Sequence, residues 1–417
     1  MAQLTGVTST RFEEKLKARV LRRWPAVFLV VIVGLAVAIR YVAVPFQGWD
    51  YKDYFQHWFA TLASSPGLTA FGQTSFSDYT PPYLYLMKLG AMLFPGQPLL
   101  VVKGISFVFE AVLGLTVYLL VRRKDPQSSW PPLAALAIVL FGPTVLFDGS
   151  VWGQSEAIYT SLLLLCLYCV ISERNVLAFV AFALAFSFKA QAVFFLPLLV
   201  VLYFRRRISI ALFAILPVTY GLVMLPAIMG GMHWSTALAV YFKQANFYKK
   251  LAMNAPTPYA WIPNEHYDIF LWFGLAWAAA AAVAVVSVAL ASRHPFTTLD
   301  WLRLSLALML FVPYLTPGMH DRYFYPADIL SVVYAFYVPR RFYLPVVITT
   351  ISLLSYFPYL FDVEVVPVRL LSLAMLLPIG VVMYDYVAAL VPGAFAPQLV
   401  KLAPSTNGHT SIQQTTT

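Results

Sequence analysis

Long apolar runs, separated by short charged or Pro/Gly-rich segments, make up most of the chain. A run of about 20 apolar residues can cross a bilayer as one α-helix. The runs therefore predict an all-α, polytopic transmembrane bundle of about 12 spans, several of them shorter than that length. The predicted spans are 24–44, 99–121, 131–147, 155–171, 176–188, 190–204, 208–228, 269–291, 302–317, 324–338, 343–360 and 368–390.

The stretch from 176 to 204 leaves two arrangements open, one long helix or two short ones. Basic residues prefer the cytoplasmic side of a membrane. Arg174 precedes this stretch and the arginines at 205–207 follow it. Both flanks are then cytoplasmic, which favours two short helices that turn at "FKAQ".

The same rule assigns the remaining segments. It predicts a basic cytoplasmic N-terminus at 1–23, a transmembrane domain at 24–392 and a disordered cytoplasmic tail at 393–417. The transmembrane domain includes a long outer loop, 45–98, for which the sequence predicts two short amphipathic helices. The first contains "DYFQHWFATLA", with apolar residues at helical spacing, and the second begins at the paired prolines of "TPPYLYLMKL".

The composition fits the same class of protein. Hydrophobic residues fill 60% of 417 positions and charged residues 11%, against about 45–50% and about 25% in soluble domains. The net charge of +10 does not indicate a nucleic-acid partner, because the cations sit in short loops between apolar runs. Cys166 and Cys169 lie within one apolar run and are predicted to be small buried side chains rather than metal ligands.

Carboxylates follow the first predicted span directly, in "GWDYKDYFQHWF" (48–59). Asp50 and Asp53 are three residues apart, a spacing that places both on one face of an α-helix. Asp78 lies later in the same loop, in "FSDYTPP". A helix cap or a solvated loop acid remains the alternative for each of them. Partial desolvation at a membrane interface raises the pKa of a carboxyl group, which suits a general base.

A second polar group stands in "DGSVWGQSE", at a predicted membrane end. It contains Asp148, Trp152, Gln154 and Glu156. Helix capping by the neighbouring serines explains part of this polarity. It does not explain a tryptophan, an amide and an acid together, and acids at this depth are costly enough to be functional candidates.

Cations that face apolar surroundings form a third set. Lys189 and Gln191 interrupt a long apolar stretch, and "GMHDRYFYP" places His320, Asp321 and Arg322 between two apolar runs, with Tyr323 next. Snorkelling of the lysine and an ordinary charged loop are the alternatives. A lysine inside a membrane needs a carboxylate or a ligand phosphate as its partner, and an arginine binds phosphate through two parallel hydrogen bonds.

No motif of a soluble nucleotide-sugar enzyme is present in the sequence. It has no P-loop, no G-x-G-x-x-G after a strand, no G-x-S-x-G and no H-E-x-x-H. An activated donor is therefore expected to arrive in the membrane plane, on a lipid phosphate. We expect neither a metal nor another cofactor, because no acid cluster has the pattern of an octahedral oxygen site.

Four segments together resemble one family. They are "WDYKDYFQHW", "FSDYTPPYLYLMKL", "VWGQSEAIYTSLLLLCLY" with "FSFKAQAVFFLPLLVVLY", and "MHDRYFYPADIL". In this order they are similar to the polytopic glycosyltransferases of the GT-C superfamily, and most of all to bacterial relatives of the GPI mannosyltransferase that adds the second mannose. The resemblance covers positions 50 to about 330 and implies a bundle of the GT-C type.

The resemblance also implies roles for individual residues. Asp50 matches the catalytic base at the end of the first span, with Asp53 as the alternative, and Asp78 matches a donor-site or structural acid. His320, Asp321 and Arg322 stand where glucosyltransferase relatives have His-Glu-Lys, which contacts the lipid phosphate. Many close relatives have aspartate at the position of Glu156.

Together, the motifs and the resemblance predict an inverting transfer of a hexose, mannose by resemblance alone, from a polyprenyl-phosphate donor to a glycan or glycolipid acceptor. The site is expected on the non-cytoplasmic face of the cell membrane. Lys189, His320 and Arg322 are expected to bind the donor phosphate. Substrate contacts are expected from Asp78, Trp58, Trp152, Gln154, Glu156, Gln191, Asp321 and Tyr323, with the three aromatic rings stacking on sugars.

Two other functions remain open from the sequence. A flippase or transporter for a lipid-linked sugar would share the acids and the cationic pocket, but its ionisable residues are expected near the bilayer midplane. A ligase for whole oligosaccharides or a protein glycosyltransferase of the same superfamily is the other alternative.

Overall fold

The computed structural model describes residues 11–73, 76–245, 247–392 and 394. It is 79% helical, so the predicted all-α class is confirmed apart from two very short strands. The helices are α1 Arg11–Ala43, α2 Gln56–Ser64, α3 Pro81–Leu93, α4 Pro98–Arg122, α5 Trp130–Leu140, α6 Pro143–Val145, α7 Glu156–Ile171, α8 Asn175–Phe188, α9 Leu196–Phe204, α10 Ile215–Met229, α11 Trp234–Ala245, α12 Tyr267–Ala291, α13 Thr298–Leu315, α14 Tyr325–Tyr337, α15 Tyr343–Phe361 and α16 Val368–Leu390.

Local sequence explains where several helices begin. Prolines occupy the first turn of α3, α4, α5 and α14, where a missing N–H costs no helical hydrogen bond. A capping box starts α13, because Thr297 accepts a hydrogen bond from the Asp300 N–H and the Asp300 carboxylate accepts one from the Thr297 N–H.

The predicted number of about 12 spans is not confirmed. Seven helices of the described residues are long and apolar enough to cross a membrane, or eight if the bent pair 130–140 and 143–152 counts as one span. The other four predicted spans correspond to α7, α8, the segment 190–204 and α14, which have 16, 14, 15 and 13 residues. At about 1.5 Å per residue these helices are shorter than a hydrocarbon core of about 30 Å.

Basic loops meet at one end of the bundle, here called the basic end. Arg123 donates a hydrogen bond to the Ser172 hydroxyl at 3.0 Å. Lys124 donates one to the carbonyl of Phe336 at 2.8 Å, and Arg341 forms an ion pair with Asp385 at 2.6 Å. The loops that the charge rule assigns to one side of the membrane are therefore neighbours in the fold.

The segment 175–204 turns back on itself rather than running straight. α8 ends at Phe188, Lys189 has extended backbone dihedrals of φ −152° and ψ 129°, and a 3₁₀ turn over Ala190–Phe195 leads into α9. The Arg207 guanidinium lies 3.6 Å from the Glu173 carboxylate, so both ends of the segment lie at the basic end. The structure therefore has two short helices with Lys189 at their turn.

The core lies between α7, α8, α13 and α14, whose facing side chains are almost all fully buried. Cys166 and Cys169 belong to this core as free thiols, as the sequence predicted. Opposite the basic end, strand β1 (Ala252–Met253) pairs in parallel with strand β2 (Met319–His320). The predicted tail, 393–417, lies outside the described residues except for Ala394.

The turn at Lys189 predicts a labelling pattern for single cysteines. Glu173→Cys and Arg206→Cys, both at exposed positions, should react with a membrane-impermeant maleimide from one side, and Asp362→Cys from the other. The buried native cysteines should react slowly in every variant. Labelling of positions 173 and 206 from opposite sides would show that 175–204 crosses as one span.

Candidate active site

The Asp50 carboxylate is held by donors from two distant segments. Asp50 is half-buried directly before a π-helical turn, Tyr51–Phe55, that follows the first span. The indole Nε1 of Trp152 donates to its Oδ2 at 2.7 Å, and the Gln154 amide donates to the same oxygen. The Tyr359 hydroxyl donates to Oδ1 at 2.5 Å. These three hydrogen bonds fix the orientation of the carboxylate.

Two cations share one buried carboxylate beside this group. Glu156, the first residue of α7, is fully buried, and its Oε1 contacts the Lys189 ammonium. The Arg322 Nε lies 2.9 Å from the same oxygen. The turn at Lys189 and the 3₁₀ turn Asp321–Phe324 bring the two cations to it. Pairing with Glu156 removes the cost of leaving either cation unpaired in an apolar bundle.

Trp152 connects the Asp50 carboxylate to the cation pair. Its N–H binds Asp50, and the Arg322 guanidinium carbon lies 4.9 Å from the centroid of its ring. Lys189 and Arg322 also lie 5.8 Å and 5.9 Å from the ring centroid of Tyr323. The structure therefore brings together Asp50, Lys189 and Arg322 in one cluster around Trp152, Glu156 and Tyr323.

His320 lies at the edge of the cluster, between aromatic rings. Its ring centroid is 5.0 Å from that of Tyr323 and 5.9 Å from that of Tyr248. Burial lowers the pKa of His320 well below its usual value, and the positive charges of Arg322 and Lys189 lower it further. The predicted cationic role therefore needs a correction: at neutral pH His320 offers a neutral imidazole, which can donate or accept a hydrogen bond.

Asp321 supports the neighbouring arginine. It is buried, and its Oδ1 accepts a hydrogen bond from the Arg322 N–H at 2.9 Å. The Arg322 guanidinium lies 3.6 Å from the same oxygen. Burial raises the pKa of Asp321 to about 7, against the opposing charge of Arg322. Asp321 therefore belongs to the cluster as a support for Arg322.

The other two loop acids differ in their positions. Asp78 is exposed at the mouth of the cluster, and partial desolvation and the nearby charge of Asp50 raise its pKa, while Arg322 lowers it. Asp53 is exposed and makes no hydrogen bond or ion pair with the described part of the chain. The predicted shared face of Asp50 and Asp53 is wrong, because residues three apart do not align in the wider π-helical turn.

Two of the aromatic rings predicted to stack on sugars are packed inside the protein. Trp58 is 5% exposed, with its ring centroid 5.0 Å from that of Tyr79. Trp152 is 1% exposed and stacks on Tyr359 at 4.9 Å. Both predictions are corrected accordingly. Tyr323 is half-buried at the cluster and remains a candidate for contact with a sugar.

The two glutamines occupy different positions. Gln154 lies within the cluster, because its amide donates to Asp50 and its Oε1 accepts a hydrogen bond from the Tyr79 hydroxyl at 3.1 Å. Gln191 is half-buried two residues after Lys189, and its Oε1 accepts no hydrogen bond from the residues that the structure describes. Gln154 therefore supports the carboxylate, and Gln191 lines the adjacent turn.

Several residues of the site were not predicted. Tyr359 is one, and the sequence carries no signal for it, since one tyrosine in an apolar span is common. Lys103 and Glu110 in α4 and Arg40 in α1 are others, and all three are buried. Their charges within apolar runs were a usable signal, because ionisable residues at membrane depth are functional candidates.

No group of three or more His, Cys, Asp or Glu residues within the described ranges is arranged to hold a metal ion. No protein-family model matches the chain, and no curated protein matches it either. The family resemblance based on the four motifs therefore stays a prediction, and the geometry of the cluster is the basis for assigning a function.

The raised pKa of Asp321 predicts a pH-dependent stability. The folded protein holds the proton up to about pH 7, but the unfolded chain releases it near the ordinary value of 3.8. Below the pKa of Asp321 in the unfolded chain, both states hold the proton and its contribution to the free energy of unfolding is complete. As the pH rises from that value toward the pKa in the folded protein, the free energy of unfolding falls by about 1.4 kcal/mol for each pH unit.

Asparagine at this position does not titrate, so Asp321→Asn does not lose stability in this pH range. The Tm of the variant minus that of the wild type should therefore increase between about pH 5 and pH 7 and stay constant above. Thermal unfolding in detergent measures it. An equal Tm difference at every pH would contradict the assignment.

Proposed function

We propose that this protein is a multi-pass membrane hexosyltransferase that inverts the anomeric configuration and uses a polyprenyl-phosphate sugar as donor. The observation that carries the proposal is a fixed carboxylate at the Trp152 N–H and, over the ring of the same indole, the Arg322 guanidinium of the cation pair. An inverting transfer needs both: a base for the acceptor hydroxyl and positive charge for the leaving phosphate.

Asp50 is the proposed general base. Its Oδ2 already accepts two hydrogen bonds, and its Oδ1 accepts one, from Tyr359. A carboxylate oxygen has two lone pairs, so Oδ1 can accept one more hydrogen bond, from an acceptor hydroxyl. The hydroxyl oxygen attacks the anomeric carbon, its proton passes to Asp50, and the bond between that carbon and the phosphate oxygen breaks.

Lys189 and Arg322 are the proposed phosphate contacts. Departure of the sugar leaves an additional negative charge on the prenyl phosphate, which must be stabilised where water is scarce. The ion pair of Arg322 Nε with Glu156 is not a well-aligned hydrogen bond, and the ammonium of Lys189 has three donors. Both cations therefore keep donors for a phosphate, and the neutral His320 can contribute one N–H.

The position of the cluster suits an amphiphilic donor. It lies at the end of the bundle opposite the basic end, where α15 ends two residues after Tyr359 and the first span has just ended before Asp50. A prenyl chain can remain among apolar helices while its phosphate and sugar reach polar groups. We propose that this end faces the non-cytoplasmic side of the cell membrane. Mannose as the sugar, and a glycan or glycolipid as the acceptor, follow from the resemblance alone.

Removing the proposed base should abolish transfer without unfolding the protein. Asp50→Asn keeps one acceptor oxygen for the Trp152 indole, and its NH2 group can donate to the Tyr359 hydroxyl, but the amide cannot take a proton. We expect release of polyprenyl phosphate from polyprenyl-phosphate mannose, with a glycan acceptor, to fall about 10²- to 10⁴-fold, with an unchanged donor Kd. Asp53→Asn is the matched control and should keep wild-type activity.

Three results would change the assignment. Full activity of Asp50→Asn excludes Asp50 as the base. Loss of activity in Asp53→Asn alone points to the other acid. Movement of the labelled lipid between leaflets of a vesicle without any release of polyprenyl phosphate favours a flippase.

The cation pair predicts a separate effect on donor binding. Arg322→Met removes charge-assisted hydrogen bonds worth about 1.5–3 kcal/mol each, so the Kd for the polyprenyl-phosphate donor should rise about 10- to 100-fold. Arg340→Met, at an exposed arginine of the basic end, is the control and should leave the Kd unchanged. Equal effects of both substitutions would indicate a general loss of charge rather than a phosphate site.

A further inference from the structure

One face of α4 carries a row of polar side chains within an otherwise apolar helix. Lys103, Ser106 and Glu110 follow at intervals of three and four residues, which align on one face. All three are at most 1% exposed. A buried lysine and a buried glutamate are costly, so their contacts need an explanation.

Lys103 binds the chain just before Asp50. Its ammonium donates hydrogen bonds of 2.7 Å to the carbonyls of Ala43 and Phe46. Ala43 is the last residue of α1, and a carbonyl there has no partner within the helix. Lys103 therefore fixes the exit of the first span, from which the chain runs four residues from Phe46 to Asp50.

Ser106 binds the second segment of the site, and Glu110 packs against it. The Ser106 hydroxyl donates to the carbonyl of Gln154 at 2.5 Å. The loop lies so close to α4 that a Cβ atom on Gly149 would overlap Glu110 Oε1. A side chain at Gly149 would therefore displace the Glu110 carboxylate, which binds Arg40.

Glu110 also ties the end of the first span to α4. Its Oε2 accepts a 2.5 Å hydrogen bond from Arg40 Nε, and Arg40 Nη2 donates to the carbonyl of Leu140 at 3.0 Å. The row on α4 thus holds both segments whose side chains meet at Asp50: the exit of α1 and the loop 146–154.

We propose that Lys103 is a positioning residue for the Asp50 carboxylate. This inference rests on the proposed function of Asp50, and it adds that the geometry of the base is set from α4, through the carbonyls of Ala43 and Phe46. Without the ammonium the Phe46 carbonyl loses its partner and the Ala43 carbonyl keeps only the Phe46 N–H, so the segment to Asp50 is held less firmly against Trp152 and Gln154. A shift of about 1 Å at a reacting group can cost about 100-fold in rate.

The chain contains a matched control. Lys88, on α3, donates to the carbonyls of Leu62 and Ser65 at 2.7 and 2.6 Å, at the C-terminal end of α2. Lys88 and Lys103 therefore perform the same kind of helix-end contact. Lys103 binds the segment that leads to Asp50, whereas Lys88 binds the far end of α2.

The first experiment compares Lys103→Met, Lys103→Arg and Lys88→Met in the full-length protein, with polyprenyl-phosphate mannose as the probe. For Lys103→Met we expect kcat to fall about 10- to 100-fold, with a donor Kd within about twofold of the wild type. Lys103→Arg keeps a charged donor and should recover most of the activity. Lys88→Met should lower Tm but leave kcat unchanged. Equal losses of kcat in both methionine variants would reduce Lys103 to a structural role.

The second experiment needs no activity. In a double-mutant cycle, the Tm losses of Lys103→Met and Asp50→Asn should be non-additive, because the two residues act on one segment, whereas those of Lys88→Met and Asp50→Asn should add. Additive losses in the Lys103 cycle would overturn the inference. If the wild type transfers no sugar but the Lys103 cycle is non-additive, the proposed function fails and the positioning of Asp50 stands.

Discussion

A charged side chain inside an apolar bundle must have an opposite charge or several hydrogen bonds, because leaving it unpaired costs several kcal/mol. This requirement explains the contacts at the centre of the site. Glu156 binds Lys189 and Arg322, and Glu110 binds Arg40. The helices that carry these residues cannot slide past one another without breaking such a pair.

The site is built where regular helix is interrupted. Asp50 precedes a π-helical turn, Trp152 ends another, and Lys189 is extended between two short helices. Gly153, with φ +83°, has the left-handed backbone that lets the chain turn from Trp152 into Gln154. Irregular backbone at membrane depth is tolerated where it is enclosed by protein or lines a polar cavity. The short helices α7, α8 and α9 begin or end near these interruptions and bring them close together.

Trp152 lies between the proposed base, Asp50, and the proposed phosphate contact, Arg322. A base and a cation in direct contact form an ion pair, and each then loses its reactivity toward a substrate. The indole binds Asp50 through its N–H and Arg322 through its ring, and thereby separates the two groups. Its packing against Tyr356 and Tyr359 explains why it is buried rather than available to a sugar.

The sequence by itself determined the helical class and the approximate positions of most helices, because apolar runs and punctuating prolines act locally. It also identified Asp50, Glu156, Lys189 and Arg322 as candidate site residues, since the sequence alone shows a charged residue next to an apolar run. Whether a short apolar helix crosses a membrane depends on its neighbours, and the predicted number of about 12 spans is accordingly not confirmed.

Only the tertiary structure decided which candidates meet. Asp50 and Asp53 have similar sequence surroundings, yet in the π-helical segment Asp50 faces Trp152 and Asp53 is exposed. Tyr359 joins Asp50 across 309 positions, and the row on α4 binds segments from both sides of it in sequence. Such contacts depend on how the helices pack rather than on any local pattern, and the sequence of a single segment therefore cannot predict them.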